Sequence, residues 1–255
     1  MKCSLIEYTQ NAAELLIFTK NTRHLTHLAE FKDVFNLSDK EKANELEKVF
    51  STISGPLEFV YFTFLIQDVS RGFTHQLVRT RHASYAQQSQ RVADMSDFRY
   101  FLPDKIEPEG YQLTVYEAAM NDASEKYGQL INHGVDKQDA RNVLPTATCT
   151  NVLMKINLRS LSQLLETRLC VRAQGEYQQV AIEMRLLVAE VMPWALPAIK
   201  GPICVSKGIC MFPRYDGCPI KKANPWLVPG EAAMQKVHDD WARIMVHGFS
   251  PQPVV

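Results

Sequence analysis

The spacing of apolar and polar positions along the chain predicts a mixture of helices and strands. Between 38 and 50 the apolar residues recur every three or four positions and share one face of a helix. Ser38 and Glu41 form the capping box that begins this helix, because each side chain accepts a hydrogen bond from the other residue's backbone N–H. The segment 57–69 reads LEFVYFTFLIQDV, which is rich in β-branched and aromatic residues and predicts a long strand. The same patterns predict a short helix from Ser70 to about Arg81, strands over 98–102 and 149–156, and helices over 113–132, 137–143, 159–167, 174–191 and near 231–246.

A few strands with helices packed against them indicate an α+β fold. The sequence contains no internal repeat and no low-complexity linker, and its 255 residues suit one large domain. We therefore predict a single domain over 1–255, in which 201–225 is a region rich in cysteine and proline.

Charge and composition narrow the range of partners. The chain has 28 Lys and Arg against 28 Asp and Glu, so its net charge is zero, whereas a nucleic-acid-binding protein usually carries a basic excess. No stretch approaches the roughly 20 apolar residues of a membrane-spanning helix, and the first residues lead into polar sequence rather than a signal-peptide core. We expect no nucleic acid and no membrane among the partners, and a cytoplasmic location.

The six cysteines are too few for a disulfide scaffold and are expected to be thiols in a reducing compartment. Cys204, Cys210 and Cys218 cluster in a stretch rich in glycine and proline, 201–219. Three thiols there and a fourth ligand from elsewhere would suffice for a metal ion, but the spacing lacks the C-x2-C pair typical of zinc sites. Metal binding by these cysteines is left open.

The densest group of polar side chains lies at 79–91, which reads RTRHASYAQQSQR. Its arginines are suited to bind phosphate bidentately, and its amides and hydroxyls suit the edge of a base or a flavin. A solvated basic loop is the alternative interpretation. A second group comprises 157–161, which reads NLRSL, together with Arg141, Arg168 and Arg172. If a helix continues through Arg168 and Arg172, their side chains face one site. Such grouping of arginines at segment ends favours an anionic ligand, such as a nucleotide or phosphate.

At these residues the sequence resembles the flavin-dependent thymidylate synthases (the ThyX family). The signature of that family is Arg-His-Arg, seven further residues, a serine and, two places on, another arginine. Arg79-Thr80-Arg81, Ser89 and Arg91 have this spacing with one departure. Further similarities, which are specific only in combination, extend the resemblance over about 50–220: Pro56, Glu58, Phe62-Thr63-Phe64, Ala140-Arg141 before Leu144-Pro145, Asn157-Leu158-Arg159-Ser160-Leu161, Arg168, Ala173-Gln174, Glu176, and Gly201-Pro202 with the three following cysteines.

The resemblance implies a small antiparallel sheet with packed helices, and active sites at the subunit interfaces of a homotetramer. It implies FAD as cofactor, NADPH as reductant, methylenetetrahydrofolate as one-carbon donor, and dUMP (or dCMP) as acceptor. The catalytic candidates are Arg168, which would stabilise negative charge on the pyrimidine, and Ser89, interpreted as a ligand contact rather than a covalent catalyst. The nucleotide-binding candidates are Gln76, Arg79, Gln87, Gln88, Ser89, Gln90, Arg91, Arg141 and Arg168. The flavin-binding candidates are Arg81, His82, Asn157, Arg159 and Arg172, and no metal ligand is assigned.

Several positions depart from the family pattern on the side of the flavin and folate. Thr80 replaces the signature histidine, Gly175 stands where a tryptophan usually follows Ala-Gln, Arg172 occupies a position often held by histidine, and 53–55 lacks the usual histidine. One alternative is therefore an enzyme in which water, rather than hydride, adds to the exocyclic methylene intermediate. Its product would be a 5-hydroxymethylpyrimidine nucleotide, as in viral modified-base synthesis. An alternative of another class is a non-catalytic nucleotide-binding homologue.

Overall fold

A computed structural model describes residues 1–24, 30–212 and 215–223. The strands are β1 (Lys2–Tyr8), β2 (Tyr61–Ser70), β3 (Ala83–Gln87) and β4 (Cys149–Asn157). The α-helices of the described residues are α1 (Ala12–His24), α2 (Asp39–Ser51), α3 (Arg71–Leu77), α4 (Tyr111–Asn132), α5 (Lys137–Ala140), α6 (Leu158–Arg168), α7 (Gly175–Val191), α8 (Ile203–Ser206) and α9 (Pro219–Ala223). This confirms the predicted α+β class, and the helix predicted near 231–246 lies outside the described residues.

The four strands form one antiparallel sheet in the order β1-β2-β4-β3, as the resemblance implied. Alternate residues of the two central strands point to one face, where Phe64 of β2 lies opposite Met154 of β4. Both side chains are fully buried against α6 and α7, in a core that includes Leu161 and Val180. The sheet thus positions α6, which contains Arg159 and Arg168, and α3, which Arg79 and Arg81 closely follow.

The strand predicted over 57–69 begins later than expected. Residues Gly55–Phe59 form a short 3-10 helix with Pro56 in its first turn, and β2 starts only at Tyr61. Proline favours a helical start because its φ angle is already fixed near the helical value. The helix α2 is confirmed with its capping box, in which the Glu41 carboxylate accepts the backbone N–H of Ser38 at 2.8 Å.

Two predictions around the polar segment are wrong. The helix predicted to reach Arg81 ends at Leu77, because the chain turns to pair with β4 as β3, which begins at Ala83. The segment 98–102 is not a strand; it forms a single bridge between Tyr100 and Thr148. It packs instead against α4 in a second, smaller hydrophobic cluster.

In the part of the chain that the structure describes, no helix is long and apolar enough to cross a membrane.

Candidate active site

A cavity of about 350 Å³ lies between the end of α3 and one side of α6. Arg79, Arg81 and Arg168, here called the α3-end group, line it, and no lining residue is acidic. None of the three forms an ion pair with any described residue. Three positive charges without a counter-charge make this cavity a candidate site for an anionic ligand. The remaining lining residues are Thr80, His82, Ser160, Gln163, Leu164 and Thr167.

Arg168 is held in place from two sides. Its guanidinium lies 4.3 Å from the centre of the Tyr177 ring, and it donates a hydrogen bond of 3.2 Å to the side-chain oxygen of Gln76. Tyr177 is fully buried on α7, so it provides a rigid surface for the guanidinium. The Gln76 amide in turn donates to the side chain of Gln174. A chain of contacts therefore fixes the direction of Arg168.

Arg168 and Arg172 do not share a helix. The condition under which both would face one site is not met, because α6 ends at Arg168. The guanidinium of Arg172 lies over the rings of Tyr215 at 4.7 Å and Phe212 at 5.8 Å, beside a different cavity.

The buried side chain of Glu176, near the start of α7, holds the start of α3 in place. Its carboxylate accepts the backbone N–H of Ser70 at 2.6 Å and the Ser70 hydroxyl at 2.5 Å. The same hydroxyl accepts the backbone N–H of Phe73 at 2.9 Å and so caps α3. Burial raises the pKa of Glu176, while the hydrogen bonds from Ser70 act in the opposite direction. One carboxyl group thus joins the start of α7 to the helix that carries Gln76.

Replacing Glu176 with alanine is expected to lower the free energy of unfolding by about 3 kcal/mol, because two donors of Ser70 lose their partner in a buried place. For a chain of this size that corresponds to a melting temperature roughly 6–12 °C lower, measurable by calorimetry. Glu117 is the matched control, since it is exposed on α4 and forms no ion pair with a described residue. Glu117→Ala should change stability by less than about 0.5 kcal/mol. Equal melting temperatures for the two variants would contradict the anchoring role.

A second set of arginines lies near the start of α3. Arg91 donates to the Gln138 side-chain oxygen at 3.1 Å, and Arg141 donates to the Gln138 backbone carbonyl at 3.1 Å. Arg71 is close enough to Arg141 that, after burial, the charge of Arg141 further lowers the pKa of Arg71. Arg71, Arg91 and Arg141 are called the α3-start group. Arg71 is the first residue of α3 and Arg79 lies two positions beyond its last residue, Leu77, so one chain presents two arginine groups at opposite ends of α3.

The predicted nucleotide-binding residues Gln87, Gln88, Ser89 and Gln90 lie at the end of β3 and directly after it. Gln87 ends that strand and donates to the Thr74 hydroxyl of α3 at 2.9 Å. The backbone N–H of Gln88 donates to the Asn151 carbonyl at 3.0 Å, which continues the pairing with β4. Ser89 then begins a turn in which its hydroxyl accepts the backbone N–H of Arg91 at 3.2 Å. Gln88 and Ser89 are exposed and Gln90 is half-buried.

The predicted flavin-binding residues lie in three places: beside the cavity of the α3-end group, at the start of α6, and next to Tyr215. Arg81 and His82 are exposed beside the cavity of the α3-end group. Asn157 is buried and caps α6 by accepting the backbone N–H of Ser160 at 2.8 Å. Arg159 pairs with Glu58 at 2.5 Å, and Arg172 lies over Tyr215 as described above.

Sequence reasoning passed over two residues that shape these groups. Arg71 directly follows the capping Ser70, and only the fold brings it to Arg141, seventy positions away. Tyr177 occupies an apolar position of α7 and was predicted as part of an amphipathic helix; no pattern indicates that a guanidinium lies on its ring.

Comparison with known proteins gives a consistent result. The family described as "Thymidylate synthase complementing protein" matches residues 4–194. The flavin-dependent thymidylate synthase of Clostridium tetani is 32% identical over 231 residues, which cover 81% of this chain and 89% of that protein. The enzyme of the same name from Pyrococcus furiosus is 37% identical over 199 residues, covering 72% and 81% of the two chains.

A solved structure supports the fold. The UMP/dUMP methylase PolB from Streptomyces cacaoi, crystallised with 5-Br dUMP, superposes with a TM-score of 0.65 over 77% of this chain and 93% of that one. At 19% identity this likeness concerns the fold alone. The family match covers most of this chain, and the two enzymes named above are more than 30% identical to it over most of their own length. The chain therefore belongs to the flavin-dependent thymidylate synthase family.

Proposed function

We propose that this protein is a flavin-dependent thymidylate synthase, which transfers a one-carbon unit from methylenetetrahydrofolate to C5 of dUMP and reduces it to the methyl group of dTMP. The observation that carries the proposal is the α3-end group: three arginines line one cavity without an acidic residue among its lining. A nucleotide monophosphate and a pyrimidine that becomes negatively charged in the reaction both need such positive charge.

Arg168 is the proposed catalytic residue of that cavity. Its guanidinium is half-buried and already oriented by the Tyr177 ring and Gln76. A fixed donor stabilises charge that develops on a pyrimidine carbonyl without needing to reorganise during the reaction. Arg79 and the α3-start group are then available for phosphate and base, with the segment 87–91 alongside.

Arg81, which lines the cavity, and Asn157, which caps α6, have side chains that fit an FAD cofactor. Arg81 is exposed and forms no ion pair with the described residues, so it is free to bind a pyrophosphate. Asn157 uses its side-chain oxygen as a helix cap, which leaves its amide NH2 as a donor. FAD, when bound and reduced by NADPH, would supply the hydride that completes the methyl group.

The two arginine groups favour an active site that neighbouring chains share. They lie at opposite ends of α3, and the cavity that the α3-end group lines has no residue of the α3-start group in its lining. A homotetramer in which the α3-start group of one chain meets the α3-end group of another would join them. The proposal extends to one domain over 1–255 and to a cytoplasmic enzyme, for which six unpaired cysteines are suitable.

Mass spectrometry of the nucleotide products tests the proposed function. The purified protein is incubated with FAD, NADPH and methylenetetrahydrofolate, with dUMP and dCMP in parallel reactions. We expect dUMP to gain one methylene unit, giving dTMP, and dCMP to remain unchanged. Absence of any product from protein that contains FAD would contradict the proposal and favour the non-catalytic homologue.

A second candidate, the pyrimidine hydroxymethylase, rests on Gly175. A cavity of about 350 Å³ is bordered by Gly175, Gln174 and Glu176. A Cβ at Gly175 would meet only Asp104, at 3.6 Å, so the place is open to a side chain that this chain lacks. Such a space admits water close to Gln174, which contacts Gln76. A product that carries a hydroxymethyl group in the same assay would establish this alternative.

A further inference from the structure

Four of the six cysteines line one cavity of about 180 Å³. Cys170 follows the end of α6, whereas the other three belong to the segment 201–223, here called the tail. Cys204 lies in α8 and Cys218 immediately precedes α9. All four are free thiols. The fold thus adds to the three tail cysteines a fourth sulfur that is 34 positions away from the nearest of them in sequence.

We infer that Cys170, Cys204, Cys210 and Cys218 together bind one zinc ion. Four thiolates are the complete ligand set of a structural zinc site, which needs neither water nor a further protein ligand. Among the described residues no three potential ligands already have the arrangement that a metal ion requires. The four thiols must therefore close on the ion by side-chain rotation and a small movement of the tail towards α6, and the cavity between them is the space available for that movement.

Four thiols around one cavity are suited to a divalent cation, because the cation stabilises the thiolates that coordinate it.

The tail has few other stabilising contacts among the described residues. Its helices have four and five residues, and its buried apolar side chains in the described part are those of Pro202, Cys204, Val205 and Ile220. It is held to α6 by bonds from Ser206 and Lys207 to Glu166, at 2.9 and 2.7 Å. So small a hydrophobic contact is typical of segments that a metal ion holds together. Zinc would fix the tail against α6.

Metal analysis of the purified enzyme tests this inference. The protein is produced without a metal-binding tag in zinc-supplemented medium, dialysed briefly against EDTA, and analysed for zinc and iron by plasma mass spectrometry. We expect about one zinc ion per chain, and less than about a tenth of that in Cys204→Ser and Cys218→Ser. Cys3→Ser and Cys149→Ser are the matched controls, because these thiols lie on β1 and β4, away from the cavity. They should retain the full zinc content.

Cobalt substitution keeps the test decisive even if the cysteine variants fail to fold. Wild-type protein refolded with Co²⁺ should show the intense thiolate-to-metal absorption and visible bands of tetrahedral cobalt bound by sulfur. Wild-type protein without zinc and without these bands would overturn the inference, as would equal zinc loss in the control variants. Iron with inorganic sulfide in place of zinc would overturn it as well. None of these measurements depends on dTMP synthesis, so the inference stands or fails independently of the proposed function.

Discussion

The Arg168→Ala enzyme is expected to convert dUMP about 100- to 1,000-fold more slowly than the wild type while it keeps most of its FAD. The size of the effect follows from the position of the guanidinium, which is oriented by Tyr177 at 4.3 Å and Gln76 at 3.2 Å and whose charge no described carboxylate neutralises. Alanine removes a fixed positive charge from the cavity at the point where the pyrimidine is proposed to become negative. Single-turnover rates with pre-reduced enzyme, and the flavin absorbance of the purified protein, separate the two effects.

Arg159→Ala should give the reverse result, with FAD lost first and a smaller change in the turnover of the fraction that retains it. Arg159 pairs with Glu58 at an exposed place, so its removal costs little stability. Arg99→Ala is the matched control, since Arg99 is exposed and pairs with Asp68, and neither residue lines the cavity. It should leave both measurements unchanged. If Arg168→Ala and Arg159→Ala lose flavin and turnover in equal proportion, the division of roles is wrong.

The elements that could be predicted from the sequence are those with local signals. The capping box of α2 lies within four residues, and β4 is a continuous run of strand-forming residues whose partners lie on both sides. No prediction covered β1, whose pairing with β2 joins residues about sixty positions apart. No strand was predicted at β3, which lies within the polar segment 79–91. It is a strand because β4 supplies its hydrogen-bonding partners at an otherwise open edge.

The candidate site likewise contains residues that the sequence indicates and contacts that it does not. Arg79, Arg81 and Arg168 were chosen by resemblance, and the structure brings these three to one cavity. The link between Arg71 and Arg141, however, depends on how α3 packs, which no motif expresses. The place of Cys170 has no sequence signal for the same reason: only the path of the tail along α6 brings it to the cavity that the other three cysteines line. Contacts across long separations in sequence are therefore the part that sequence reasoning misses.

Two inactive variants are expected to restore activity when their subunits are mixed. Arg91→Ala damages the α3-start group and Arg168→Ala damages the α3-end group. If each active site takes one group from each of two chains, random mixing leaves about a quarter of the sites with both groups intact, because each intact half is present with a probability of about one half. Refolding the variants together, with different affinity tags, should therefore restore roughly a quarter of the wild-type rate in oligomers that carry both tags.

Mixing Arg79→Ala with Arg168→Ala provides the control, since both residues belong to the α3-end group. No chain in that mixture offers an intact α3-end group, so mixed oligomers should stay inactive even though they form as readily. Recovery in both mixtures would mean that the grouping by helix ends is wrong. No recovery in the first mixture, with oligomers of both tags present, would mean that each chain builds its own site. In that case Arg91 and Arg168 would have to approach each other by a movement of the segment 87–91 towards the cavity.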